Sequence, residues 1–293
     1  MRTTAPVVLI GGPTASGKSA LALKIARERD GVVVNADSMQ LYRDLPILTA
    51  RPCPEDEALA PHALYGVAGP RETWSTGRWL RAVLPVLETA RADGRPAIVV
   101  GGTGLYFRAL VVGLADMPEA SDSVRQETGA LYDRLGEAAF RERLAAVDPA
   151  AERRIERGDR QRLTRAFEVH AATGRALSDW QARTRPALSP EDWEGVVVEP
   201  ERATLHARCD ARFDAMLESG ALDEVRALAS RGFSDDWPIA RVLGASELLA
   251  VVEERADLKT AVAQAKARTR QYAKRQSTWF RNQCPDWRRL GTD

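Results

Sequence analysis

Three short stretches carry residue types and spacings suited to chemistry. Gly12-Pro13-Thr14-Ala15-Ser16-Gly17-Lys18-Ser19 matches the pattern G-x-x-x-x-G-K-[ST] at every fixed position. Glycines at its two fixed positions let successive backbone N–H groups turn inward as a nest for an anion. Lys18 adds a full positive charge for phosphate oxygens, and the Ser19 hydroxyl is of the kind that ligates Mg²⁺. The loop is therefore read as a phosphate or diphosphate site. Asp37, in Ala36-Asp37-Ser38-Met39-Gln40, stands just past an apolar run, on the rim where open parallel sheets take ligands. It is placed in the same crevice as the loop; a helix cap or an acid standing behind Mg²⁺ are the competing readings. Gly101-Gly102-Thr103-Gly104 follows another such run. ATP hydrolases of the common type often place an aspartate there. Glycines and the Thr103 hydroxyl stand instead, which weakens the hydrolase reading and lets a ligand approach closely.

The elements that must hold these residues are legible as an α/β pattern. Short apolar runs at 7–10, 32–35, 97–100 and 196–198 read as buried strands, and the good helix formers from Ala20 onward as the helix behind the loop. The expected fold is α/β: a P-loop NTPase-like parallel sheet flanked by helices, with an inserted all-α subdomain. The core is assigned to 1–115 and 190–293. The helical insertion is assigned to 116–189, entered through the polar link Asp116-Met117-Pro118-Glu119. Within it, Leu163, Phe167 and His170 fall at i, i+4 and i+7 and are read as the inward stripe, with Gln161 and Arg165 on the opposite face. Residues 205–228 read as helical, with Phe213, Leu217, Val225 and Leu228 as core, and 259–281 as one long basic helix.

The chain has 293 residues, 44% hydrophobic and 28% charged, the profile of a soluble globular protein. No apolar run approaches the ~18 residues of a membrane span, and no signal-like segment precedes the first strand, so a cytoplasmic location without membrane attachment is expected. Cys53, Cys209 and Cys284 are too scattered for a disulfide frame, and His62, His170 and His206 show no ligand spacing. Net charge is only +1, so any affinity for nucleic acid must come from local patches. Two exist. Residues 153–165 hold six arginines against Glu156 and Asp159, and 266–293 hold eight basic residues against two acids. In the second, Arg268, Tyr272, Arg275 and Trp279 recur as a mixed stripe suited to phosphate contact and base stacking. A solvated helix face is the plainer reading of either patch alone; together they point to nucleic acid.

Five segments in order resemble those of the tRNA dimethylallyltransferase family. They are the loop at 12–19, Asp37-Ser38-Met39-Gln40-Leu41-Tyr42, Gly101-Gly102-Thr103-Gly104-Leu105-Tyr106, Asp159-Arg160-Gln161-Arg162-Leu163-Thr164-Arg165 and Ala273-Lys274-Arg275-Gln276-Ser277-Thr278-Trp279-Phe280. The resemblance spans nearly the whole chain. It implies Mg²⁺-dependent transfer of a dimethylallyl group from dimethylallyl diphosphate to N6 of the adenosine beside the anticodon, in tRNAs reading codons that begin with U. The diphosphate would sit in Gly12, Pro13, Thr14, Ala15, Ser16, Gly17, Lys18 and Ser19, with Arg241 as a further anion partner and Ser19 on the metal. Asp37 would be the general base, acting with Thr103 and Lys18. Asp37, Ser38, Met39, Gln40 and Thr103 would contact the extruded adenosine. Arg125, Gln161, Arg162, Leu163, Thr164, Arg165, Lys274 and Arg275 would hold the tRNA, and a monomer is expected. Two segments depart from the family pattern: Leu48-Thr49-Ala50-Arg51-Pro52, where the family usually has Gly-Thr-Ala-Lys-Pro, and Leu243-Gly244-Ala245, which lacks the family's tyrosine. Rival readings are an isopentenyltransferase acting on free adenine nucleotides, a P-loop small-molecule kinase and a non-catalytic RNA-binding module.

Overall fold

A computed structural model describes residues 7–291 apart from Asp116 and Glu119, so these two ends of the expected polar link lie outside the described residues. The chain divides into two compact units, 1–111 with 188–293, and 112–187.

The first unit is built on six strands: β1 (Val7–Gly11), β2 (Val32–Asn35), β3 (His62–Ala63), β4 (Ala97–Gly101), β5 (Trp193–Val198) and β6 (Arg288–Leu290). They form one sheet in the order β3-β2-β4-β1-β5-β6, and every pairing is parallel. Parallel sheets are covered on both faces, which is why β1, β2 and β4 read as unbroken Val, Ile and Leu runs rather than alternating ones. The pleat then sorts neighbours to opposite faces. Val8, Ile10, Val33, Ile98 and Val100 pack with Ala22 and Ala26 of α1 (Lys18–Arg29). Leu9, Val34, Val99 and Val197 join the larger cluster on the other face. That cluster draws on α3 (Thr76–Ala92), α4 (Gly104–Val111), α9 (Arg202–Glu218), α10 (Ala221–Ala229), α11 (Ala245–Val252) and α12 (Leu258–Gln283). A short helix, α2 (Pro54–Leu59), precedes β3.

The segment 205–228, read from the sequence as continuous, is two helices. Gly220 adopts φ +99°, a left-handed conformation that ends the run and caps α10. Phe213, Val225 and Leu228 are buried as expected.

Among the described residues, the regular elements of the second unit are all helices: α5 (Asp122–Val147), bent at Gly136, then α6 (Pro149–Arg154), α7 (Arg160–Thr173) and α8 (Leu177–Gln181). Its core is Phe140, Leu144, Ala151, Leu163, Ala166, Val169 and Leu177. The inward stripe of α7 is thus Leu163, Ala166 and Val169, with Phe167 packed beside it; His170, expected to face inward, is half-buried. His170 lies in the last turn of α7, beside the exposed Ala171 and Ala172 and the Gly174 cap, where the covered face ends.

Candidate active site

The C-terminal ends of β1, β2 and β4 deliver the three chemical stretches to one rim. After β1 the chain turns through Gly12, where a Cβ would come within 2.5 Å of the Val198 carbonyl oxygen on the neighbouring strand. Gly17, at φ +91°, caps α1, so the loop's N–H groups gather at a helix N-terminus. Lys18 is 8% exposed and its Nζ donates to the Pro13 carbonyl at 3.0 Å, folding the side chain over the loop. Burial pulls its ammonium down to about 8; the charge of Asp37 opposes this and that of Arg212 adds to it. An anion in the nest reverses that penalty. Ser19 is exposed at the first turn of α1.

Asp37 is held by its own neighbourhood. Asn35, fully buried, accepts the Asp37 N–H at 2.7 Å and donates to the carbonyls of Asp37 and Leu64, each at 3.0 Å. Asp37 Oδ1 takes the Met39 N–H at 3.0 Å, while Oδ2 faces Gly102 with no hydrogen-bond partner among the described residues. A half-buried carboxylate oxygen left open beside a phosphate loop is available to accept a proton. Thr103 ties the loop after β4 to the loop after β2. Its N–H donates to Ala36 O at 3.1 Å, and its hydroxyl accepts the Ser38 N–H at 2.9 Å and donates to Ser38 Oγ at 3.2 Å. Gln40 Nε2 donates to the carbonyls of Thr49 and Ala50 at 3.0 and 2.7 Å, so its amide fastens the segment that differs from the expected pattern. Arg51, in that segment, lies over Gly66.

Two cations stand at the loop that the sequence reading did not single out. Arg208 and Arg212, four apart on α9, line the same cavity as Ala15, Ser16, Gly17, Lys18 and Ser19. Arg212 also donates to the Thr14 hydroxyl. Their signal was the i, i+4 spacing on a helix whose Leu205, Cys209 and Phe213 are core, which turns the adjoining face toward the sheet rim. Arg241, expected among the diphosphate partners, is exposed and lines a different cavity with Met39, Leu243, Arg268, Tyr272 and Arg275. A third cavity joins Thr14, Asp37 and Arg212 to an apolar wall of Met39, Leu48, Phe213, Met216 and Val242. Gly244 closes that wall: a Cβ there would reach Phe213 Cε2 at 2.7 Å.

The remaining expected residues lie on helix surfaces. Lys274 and Arg275 are exposed on α12, in a groove with Gln271, Thr278 and Trp279. The Arg275 guanidinium sits 5.6 Å from the Tyr272 ring, and the Trp279 indole packs against Gly104. In the helical unit, Arg125, Gln161 and Arg162 are exposed, Arg165 is half-buried, and the Thr164 hydroxyl is turned back to the Arg160 and Gln161 carbonyls. Leu163, grouped with the tRNA contacts, is completely buried and serves the core of the unit instead.

The family described as IPP transferase matches residues 40–283. The chain belongs to that family. A second family, isopentenyl transferase, matches 5–60, the part that carries the phosphate loop and Asp37. Proteins named tRNA dimethylallyltransferase are 55% identical in Caulobacter sp. (strain K31), over 98% of this chain and 93% of the relative, and 55% identical in Phenylobacterium zucineum (strain HLK1), over 97% and 92%. Among solved structures, the full-length tRNA isopentenylpyrophosphate transferase from Bacillus halodurans is 31% identical with a TM-score of 0.70, covering 98% of this chain and 89% of its own. A eukaryotic dimethylallyltransferase acting on tRNA is 26% identical with a TM-score of 0.84, covering 98% and 74%. The α/β fold of this chain places the loop at 12–19, the Asp37 carboxylate and the Lys18, Arg208 and Arg212 cations on one rim.

Proposed function

We propose that the chain is a tRNA dimethylallyltransferase, moving the dimethylallyl group of dimethylallyl diphosphate to N6 of the adenosine next to the anticodon. The observation that carries the reading is the cavity in which Thr14, Asp37 and Arg212 meet an apolar wall of Met39, Leu48, Phe213, Met216 and Val242. A phosphate loop alone suits any nucleotide. A phosphate loop, an open carboxylate and a greasy wall together suit a prenyl diphosphate and a nucleophile that must lose a proton.

The adenine N6 lone pair is delocalised into the ring, so it is a poor nucleophile. Asp37 Oδ2 accepts its proton as the N6–C1 bond forms and the C1–O bond to diphosphate breaks. Charge then builds on the departing oxygen, where the loop N–H groups, Lys18, Arg208 and Arg212 stabilise it. Thr103 and Asn35 fix the Asp37 segment so that the carboxylate does not reorganise. Mg²⁺ fits this donor set. No group of three or more His, Cys, Asp or Glu side chains is placed to hold a metal among the described residues, but Mg²⁺ keeps several waters and takes phosphate oxygens plus one or two protein oxygens. Ser19 would hold it, and when bound it supplies positive charge to the leaving diphosphate. RNA contact falls to Lys274 and Arg275 on α12 and to Arg125, Gln161, Arg162 and Arg165 of the helical unit.

The test is incubation with Mg²⁺, labelled dimethylallyl diphosphate and unmodified tRNA reading codons that begin with U, beside free adenine nucleotides and an ATP control. Label entering tRNA alone is the expected result. The Asp37→Asn variant keeps an oxygen for the Met39 N–H but not the base, so transfer should fall by roughly 10²–10⁴-fold with tRNA binding retained. ATP consumption with a small-alcohol acceptor and no label in RNA would sink the reading.

A further inference from the structure

We infer that Gln276 is a positioning residue for this reaction, joining the diphosphate loop to the loop that carries Thr103 through one buried carboxamide. It projects inward from α12 and is 5% exposed. Its Oε1 accepts the Thr14 N–H at 2.8 Å, and its Nε2 donates to the Gly102 carbonyl at 2.9 Å. Those two loops follow β1 and β4, adjacent parallel strands whose paired residues end at Gly11 and Gly101. Beyond that register the backbones separate, and the carboxamide takes over the cross-link that the sheet no longer supplies.

The chemistry requires a carboxamide. Thr14 offers a donor and Gly102 an acceptor, so the bridging group must accept at one end and donate at the other. Glutamate at neutral pH accepts at both ends and leaves the Gly102 carbonyl facing a carboxylate. Methionine fills the space and does neither. Gly102 is part of the same device, because a Cβ there would overlap Gln276 Nε2. The consequence reaches the leaving group and the base alike. Thr14 also takes the Arg212 guanidinium, so its position sets a cation of the diphosphate site. Gly102 faces Asp37 Oδ2, and Thr103 next to it holds Ser38. The spacing between leaving group and base therefore passes through residue 276. The inference rests on the proposed transfer, but its loop geometry is also readable by diphosphate binding alone.

Two variants test it, each checked first by thermal melting. Gln276→Met should raise the Kd for inorganic diphosphate, by calorimetry, and the KM for dimethylallyl diphosphate by about tenfold, and lower kcat by a similar factor. The KM for tRNA should stay within about twofold, since the exposed Lys274 and Arg275 make no hydrogen bond to the carboxamide among the described residues. In Gln276→Glu the deficit should depend on pH. A protonated carboxyl reproduces the carboxamide's pattern, with O–H to Gly102 and C=O to Thr14. Burial favours that neutral form, so activity relative to the parent should recover as pH falls from about 9 to about 6. The charged and titrating groups around the position are Asp37 past β2, Lys18 at the start of α1, Arg212 of α9 beyond Thr14, and Tyr272 and Arg275 on α12. Dividing by the parent rate at each pH removes their common titration. A flat ratio, or unchanged diphosphate Kd and KM with only a lower melting temperature, would overturn the assignment. Loss of transfer in the parent, with diphosphate binding still sensitive to residue 276, would overturn the function and leave the bridge standing.

Discussion

At the scale of single residues, Lys18 carries the sharpest consequence. Burial draws its ammonium from 10.5 to about 8, so near neutral pH the free site holds a charge it is close to losing. Two effects of opposite direction follow. In the native protein the lysine releases its proton near pH 8, whereas the unfolded chain keeps it to about 10.5. Unfolded chain then binds more protons across that window, and stability rises with pH there. Donor affinity runs the other way, because only the ammonium attracts phosphate oxygens. The KM for dimethylallyl diphosphate is expected to be flat below about pH 8 and to climb above it, up to about tenfold per unit. Lys18→Met should remove that slope while raising KM at every pH, which steady-state kinetics at fixed tRNA would read. Lys18 was legible in the sequence from the fixed spacing of its glycine loop, and Asp37 and Thr103 because each follows closely on an apolar run, whose ends a parallel sheet sends to one rim. Arg208 and Arg212 were not, because arginines four apart on a helix read equally as a solvated face until the partner of that face is known. Gln276 lay inside a recognisable segment, yet an inward-pointing carboxamide acquires a role only from loops 262 and 174 residues away in sequence.

At the scale of elements, the joints matter more than the helices they connect. Asp148, fully buried in the helical unit, accepts the Ala151 N–H at 2.9 Å as the cap of α6, and the Ser178 N–H and hydroxyl at 3.0 and 2.7 Å at the start of α8. Burial pushes its carboxyl up, but the hydrogen bonds from Ser178 and Ala151 outweigh it, and the net shift is below the ordinary 3.8. The contribution is thus present above that value and lost as pH falls through the lower native one. Asp148→Ala should cost about 3 kcal/mol, seen as an earlier urea transition, because three donors lose a charged acceptor. The sequence showed that the insertion at 116–189 was helical but not where it would bend, since Gly136, the Asp148 joint and the α7–α8 turn are set by packing. The same limit hid the break at Gly220, and β3 and β6 were missed because two and three residues at a sheet edge make no apolar run.

For the whole molecule, charge is nearly balanced at +1, so RNA must be held by local surfaces rather than by an overall field. Among the described residues, Arg162 pairs with Asp159 at 3.3 Å and Arg165 with Glu168 at 3.5 Å, each three residues apart along α7. Such pairs are worth little in water, and the arginines exchange them for phosphates at small cost. Replacing both with alanine is expected to weaken tRNA binding and to reduce the slope of log affinity against log salt by about two, with the KM for dimethylallyl diphosphate unchanged. Filter binding across a salt series would show it; an unaltered slope would remove these arginines from the interface.

The placement of β1 between β4 and β5 also governs how the protein is made. β5 follows the helical unit in the chain, so during synthesis the strand leading into the phosphate loop gains its second neighbour only after that unit has left the ribosome. The helical unit, rich in short-range contacts, is the part able to condense first. A nascent or truncated chain ending before residue 193 presents the apolar edge of β1 to solvent, an invitation to pair with another copy. Completion of the sheet around the loop at 12–19 is therefore expected among the last events in biogenesis, and synthesis that stalls within the helical unit is expected to leave four strands with an open β1 edge prone to aggregation.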